Sequence, residues 1–155
     1  MQSGHYSRHQ CFWWVLSFGF LPHQLRMAKQ TISLDKAWHG IHFLLTGTAW
    51  EVKGPAGQAI LGGREFGEDM GYGPARVLSV AQVKAIAEAL AKITPENLSV
   101  RYSPDAMTKA EIYPTIIWNR EGPEALVFLL NYYKPLVTFY RRAAEKGQLV
   151  VIAIT

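Results

Sequence analysis

Residues 34–48, LDKAWHGIHFLLTGT, decide how this chain is read. Trp38, Ile41, His42 and Leu45 fall at i, i+3, i+4 and i+7, one face of an α-helix. Phe43 and Leu44 make the neighbouring faces apolar too, and a helix apolar around most of its circumference belongs in an interior. Asp35 or Ser33 can cap its start, and Gly47 stands where a left-handed residue would end it. A buried helix over about residues 36–46 is expected, and the rest of the chain must enclose it.

Downstream, residues 52–63 contain Gly54-Pro55-Ala56-Gly57 and a short apolar piece, which predicts a loop with at most a helical turn. Residues 62–74, GGREFGEDMGYGP, hold five glycines in thirteen positions and predict an irregular loop. Residues 75–78 suit a short strand. Ser79 with Gln82 forms a capping box, and Val83, Ile86, Ala87, Leu90 and Ile93 give the following helix one apolar face. Thr94-Pro95 and Ser103-Pro104 open two shorter helices, the second ending before Tyr113-Pro114. Pro123 starts the last helix, with Leu126, Leu129, Leu130, Tyr133, Val137, Tyr140 and Ala144 on its inner face. Pro135 should kink or break it near residues 131–134. The run LVVIAI, residues 149–154, predicts a strand covered on both faces.

Size and charge narrow the function classes. A chain of 155 residues suits one domain, and 49% apolar with 18% charged content is ordinary for a folded protein. The net charge of +4 falls to +2 once Arg8 and Arg26 of the amino-terminal segment are set aside. The remaining charges alternate without a basic stripe, so nucleic acid is not an expected partner. The single cysteine, Cys11, offers no intrachain disulfide and no cysteine metal cluster, which fits a reducing cytoplasm.

Four separated blocks carry a resemblance to a known family. They are residues 34–48, residues 60–83 around GEDMGYGPARVLS, AEIYP at 110–114, and residues 139–154 with RRAAEKGQLVVIAI. In this order they resemble the YfbM-like family of small bacterial proteins, which has no established activity. The resemblance covers about residues 30–155 and implies an α+β fold, a helix-rich single domain with a small sheet that includes the carboxy-terminal strand. Members usually open with a short strand and a longer helical segment, neither recognisable here. Residues 1–28 are therefore expected to stand outside the family domain of residues 29–155, as a mis-assigned or truncated start. Their apolar run CFWWVLSFGFL spans about 15 Å as a helix, half of a hydrocarbon core, so no membrane anchor is expected. No small-residue cleavage site follows it either.

Candidate chemistry is sparse. His39 and His42 lie one turn apart, as two ligands on one helix face would, but a zinc site needs a third ligand that no spacing supplies. His42 shares the stripe of Trp38 and Leu45 and is expected to be a buried, hydrogen-bonded histidine, with His39 at the margin; no metal and no cofactor are expected. Residues 62–74 lack phosphate-binding motifs, and Glu65, Glu68 and Asp69 would repel phosphate. With Tyr72 they better suit a cation or a basic protein surface. Glu111 and Tyr113 could work with His42 as a hydrolase or transferase site if a cleft gathered them. Arg141, Arg142 and Lys146 complement the last helix's dipole. The expected protein is a cytoplasmic interaction module docking through Glu65, Glu68, Asp69 and Tyr72. The hydrolase or transferase using His42, Glu111 and Tyr113 is the alternative.

Overall fold

The computed structural model describes residues 11–16 and 30–155. Five strands form one antiparallel sheet: β1 (Cys11–Leu16), β2 (Thr31–Ser33), β3 (Arg64–Asp69), β4 (Pro74–Leu78) and β5 (Leu149–Ile154), in the order β2-β1-β5-β4-β3. Among the described residues the helices are α1 (Trp38–Thr46), α2 (Gly54–Leu61), α3 (Val80–Ala91), α4 (Pro95–Arg101), α5 (Pro104–Lys109), α6 (Ile117–Glu121) and α7 (Pro123–Glu145). The α+β expectation holds, with the carboxy-terminal strand at the centre of the sheet.

α1 is enclosed as its sequence requires. Trp38, Ile41 and Leu44 are buried with Ile60, Ile86, Leu90, Trp118, Leu129, Val150 and Ile152 in one apolar cluster. Gly40 makes the enclosure possible. A Cβ there would lie 2.7 Å from Leu129 Cδ2 and 2.8 Å from Trp118 Cη2, so only a bare Cα lets α1 approach α6 and α7 this closely. Gly47 ends the helix in the left-handed conformation, φ 73°, its N–H donating to the Phe43 carbonyl. The capping boxes of Ser79 with Gln82 and Thr94 with Asn97 start α3 and α4. Buried polar tips then tie elements together. The Tyr140 hydroxyl donates to the Ala59 carbonyl at 2.7 Å, that of Tyr133 to Ile93 at 2.7 Å, and Trp118 Nε1 to Ile112 at 2.7 Å.

Four expectations need correction. Residues 62–74 are not an irregular loop: β3 and β4 pair as a hairpin, with a register shift between Phe66 and Asp69. All six residues of β3 are exposed, so no inward–outward alternation marked the strand. Residues 54–61 form a full eight-residue helix, because Pro55 occupies the first turn, where its missing N–H costs nothing. α7 runs unbroken through Pro135. Pro135 and Asn131 are both exposed, so the Asn131 carbonyl that the proline leaves unbonded can face water. The buried face of α7 is also rotated from the expected one, with Ala125, Leu136, Phe139 and Ala143 inside beside Leu129, Tyr133 and Tyr140.

The fourth correction concerns the amino-terminal segment. Cys11–Leu16 does not stand apart from the sheet; it pairs with β5 along its whole length and with β2 on its other side. The rest of the 1–28 segment lies outside the described residues. β-Strand pairing on two sides makes β1 part of the sheet's framework. Deleting residues 1–16 should therefore uncover β5 and lower the melting temperature by at least about 5 °C. Calorimetry with light scattering checks this; an unchanged transition without aggregation would show that β1 adds no stability.

Candidate functional site

The two histidines of α1 lie inside the protein, and their environments differ. His39 is hydrogen-bonded at both ring nitrogens. The Tyr113 backbone N–H donates to Nδ1 at 2.9 Å, which leaves Nε2 protonated and donating to the Ala49 carbonyl at 2.9 Å. One imidazole thereby ties the segment after α1 to the segment before α6. Its pKa is lowered by burial, partly offset by the bond to Ala49. His42 is fully enclosed, and neither of its ring nitrogens makes a hydrogen bond of normal geometry. Burial first and neighbouring His39 second push its pKa down to about 4, against a small opposing contribution from the Glu51 backbone. The expected hydrogen-bonded core histidine is thus His39, at the position taken as marginal. His42 is buried as expected, but without a hydrogen bond of normal geometry.

The residues of the alternative hydrolase or transferase site differ in exposure. His42 is sealed in the core, Glu111 is exposed at φ 54°, and Tyr113 is half-buried. None of them lines the cavities of about 470, 360 and 260 Å³, which lie against α7, beside the end of α1, and between α3 and α7. Among the described residues no three His, Cys, Asp or Glu side chains are grouped so as to hold a metal ion.

The acidic residues fall together on the hairpin, at the outer edge of the sheet. Glu65 faces Arg76 Nε at 3.7 Å, both on the β3–β4 pair. Asp69 is partly committed to structure: its Oδ1 accepts from the backbone N–H of Gly71 at 2.7 Å and of Gly73 at 3.2 Å, fixing the turn. Glu68 makes no ion pair among the described residues. Phe66 and Met70, each 47% exposed, add apolar surface to the same hairpin. Tyr72, the fourth expected residue, leaves the hairpin surface and turns its edge to Trp38, at 5.6 Å and 66° between rings.

Trp38 is in fact the centre of an aromatic group that sequence reading missed. Its ring lies 4.7 Å from His39, 6.2 Å from Trp50, 5.6 Å from Tyr72 and 6.3 Å from Tyr113. Trp50 also rests on His39, 4.4 Å between centroids, while 58% exposed. The Tyr113 phenol has its pKa raised by burial, then by Tyr72, then by the Asp35 carboxylate. The only available signal was Trp50-Glu51, a large aromatic in the polar connection after Gly47.

The architecture defines a class: a helix-rich α+β domain on a five-stranded antiparallel sheet, with an acidic hairpin at one edge. Within that class, the chain belongs to the family described as "Domain of unknown function (DUF1877)", whose profile matches residues 22–153. It is similar in fold to the protein of unknown function YfbM from Escherichia coli, with a TM-score of 0.71 and 22% identity over 95% of this chain and 99% of that one. None of the curated proteins matches it.

Two outcomes follow for the histidines. A histidine whose folded pKa is depressed stays neutral in the folded state while the unfolded chain takes up a proton. Stability is therefore fully present above pH 6.5 and is lost as pH falls toward 4, by up to about 3 kcal/mol for His42. His42→Leu replaces a polar ring that lacks a hydrogen bond of normal geometry with an apolar side chain of similar size. It should leave stability at pH 7.5 within about 1.5 kcal/mol of wild type or raise it, and flatten the loss between pH 6.5 and 4. Urea unfolding at several pH values measures both, and an unaltered pH slope would remove His42 as its source. His39→Ala, by contrast, strands the Ala49 carbonyl and the Tyr113 N–H. It should cost about 2–4 kcal/mol and speed hydrogen exchange at Tyr113. Unchanged exchange there would mean that the tie is not maintained in solution.

Proposed function

We propose that this chain is a cytoplasmic protein-interaction module that takes an extended, basic segment of a partner along the outer strand β3. The observation that carries this reading is that among the described residues β3 borders the sheet, pairs only with β4, and exposes all six of its residues, Glu65, Glu68 and Asp69 among them. An unpaired strand edge offers backbone donors and acceptors to an incoming strand, and the carboxylates select for positive charge. Phe66 and Met70 supply apolar area on the same hairpin.

The register shift between Phe66 and Asp69 interrupts the ladder after its first three pairs. Irregularity of this kind protects an edge from indiscriminate pairing. It leaves residues 64–66 as the regular stretch a short segment can extend. The reducing setting rests on the lone cysteine. Among the described residues no helix is long and apolar enough to cross a membrane.

The test uses a partner captured on the immobilised protein and then purified. Its association rate is measured for wild type and for Glu65→Gln/Glu68→Gln/Asp69→Asn at two salt concentrations. Asn keeps the acceptor that holds Gly71 and Gly73, so the turn should survive. Wild-type association should slow several-fold as salt rises, since exposed charges are screened over about 8 Å at physiological ionic strength. The variant should be slower at low salt and nearly insensitive to it. Equal rates with a flat salt response would remove the hairpin as an electrostatic interface.

A further inference from the structure

A second surface, distinct from the hairpin edge, is formed where three aromatic side chains from separate segments converge on one buried indole. Trp50 comes from the connection between α1 and α2, Tyr72 from the β3–β4 turn, and Tyr113 from the segment between α5 and α6. Each lies within 6.3 Å of Trp38, ring centre to ring centre. Trp38 is fully buried beneath them, while Trp50 is largely exposed and the two tyrosines, packed against the core, are half-buried. Trp50 rests on His39 with more than half of its surface in water.

A carboxylate lies near one of the rings. Asp35 lies close enough to Tyr113 to raise its phenol pKa, and Tyr72 does the same. Asp35 is held at φ 44°, a left-handed conformation that a non-glycine residue adopts rarely. Aromatic faces attract cations through the ring quadrupole, most strongly for tryptophan, and a neighbouring carboxylate supplies the countercharge. A flat guanidinium can also stack on the rings.

We infer that Trp50, Tyr72 and Tyr113, with Asp35 beside them, form a recognition site for an organic cation, a guanidinium or alkylammonium group. This inference does not rest on the hairpin docking reading. The cation is either a free small molecule or an arginine or lysine side chain of a protein, since both present the same group to the rings.

The experiment is titration of the full-length protein with arginine amide, followed by the Trp50 indole N–H resonance and by calorimetry. Citrulline amide, its uncharged near-isostere, is the control. Saturable binding of arginine amide should shift the Trp50 signal, and citrulline amide should bind at least tenfold more weakly. Asp35→Asn keeps a side chain tolerant of positive φ and should weaken binding about fivefold, with the salt dependence reduced. Trp50→Leu, at an exposed position, should abolish binding, while circular dichroism confirms that both variants are folded. Ethylguanidinium and a capped Gly-Arg-Gly peptide separate the two sources. Tighter binding of the first assigns a free cation, and tighter binding of the second a protein side chain. Equal response to arginine and citrulline amides, or no saturable response to either, overturns the site. So does binding that survives both Asp35→Asn and Trp50→Leu. Binding lost in the Glu65→Gln/Glu68→Gln/Asp69→Asn variant but retained in Trp50→Leu would overturn it too, by moving the cation to the hairpin. Loss of the hairpin's partner with arginine amide binding intact would remove the docking reading alone.

Discussion

The enclosure of α1 is the constraint on which the rest of this structure depends. A nine-residue helix with seven buried positions cannot lie against a single surface. It needs neighbours on nearly every side, and α2, α4, α6 and α7 close around it. The close approach at Gly40 sets how near α6 and α7 come. The remaining polar groups inside must then be satisfied or left as liabilities. His39 shows the first solution: its two ring nitrogens bind backbone groups of two connections that would otherwise have unpaired atoms. His42 shows the second, and its strongly depressed pKa is the consequence.

Much of this was legible in the sequence because it is governed by local chemistry. The buried helix, its glycine terminus, the Ser79–Gln82 capping box and the apolar last strand each depend on residues within a few positions of one another. The hairpin was not legible, since an edge strand with both faces exposed has no hydrophobic period to reveal it. α2 was hidden for a different reason. Gly-Pro-Ala-Gly is turn chemistry in isolation, and only the burial of Ala59 and Ile60 against the rest of the core makes it a helix. Pro135 was a local signal correctly recognised and overridden, because the carbonyl it leaves unbonded lies on the exposed side of a long, well-packed helix. β1 was set aside on composition, yet strand pairing is made between residues more than 130 positions apart, beyond the reach of any local pattern.

The same division holds for the candidate sites. The acidic residues were found because they are contiguous, and the fold gathered them on one hairpin. Their roles were not, since Asp69 spends one oxygen on its own turn and Tyr72 leaves the group for Trp38. The aromatic group draws on residues 35, 38, 50, 72 and 113, whose proximity exists only after α1 is enclosed. His39 was taken as marginal by its place on a helical wheel. A helical wheel records which side a residue faces and is blind to the backbone groups that arrive there from elsewhere.

These observations connect the core to the surface by one path. His39 leaves α1 in the neutral form that both of its hydrogen bonds require. Through those bonds it fixes Ala49 and Tyr113, and through ring contact it steadies Trp50. Protonation at Nδ1 would put an N–H against the Tyr113 N–H, two donors facing each other, so charging this ring would loosen both segments that carry the exposed aromatics. Burial prevents that near neutral pH by keeping the ring neutral. The apolar enclosure that dictates the fold therefore also holds the surface aromatics in register. A binding surface made of short connections can be rigid here because a buried imidazole, and not the connections themselves, sets its geometry.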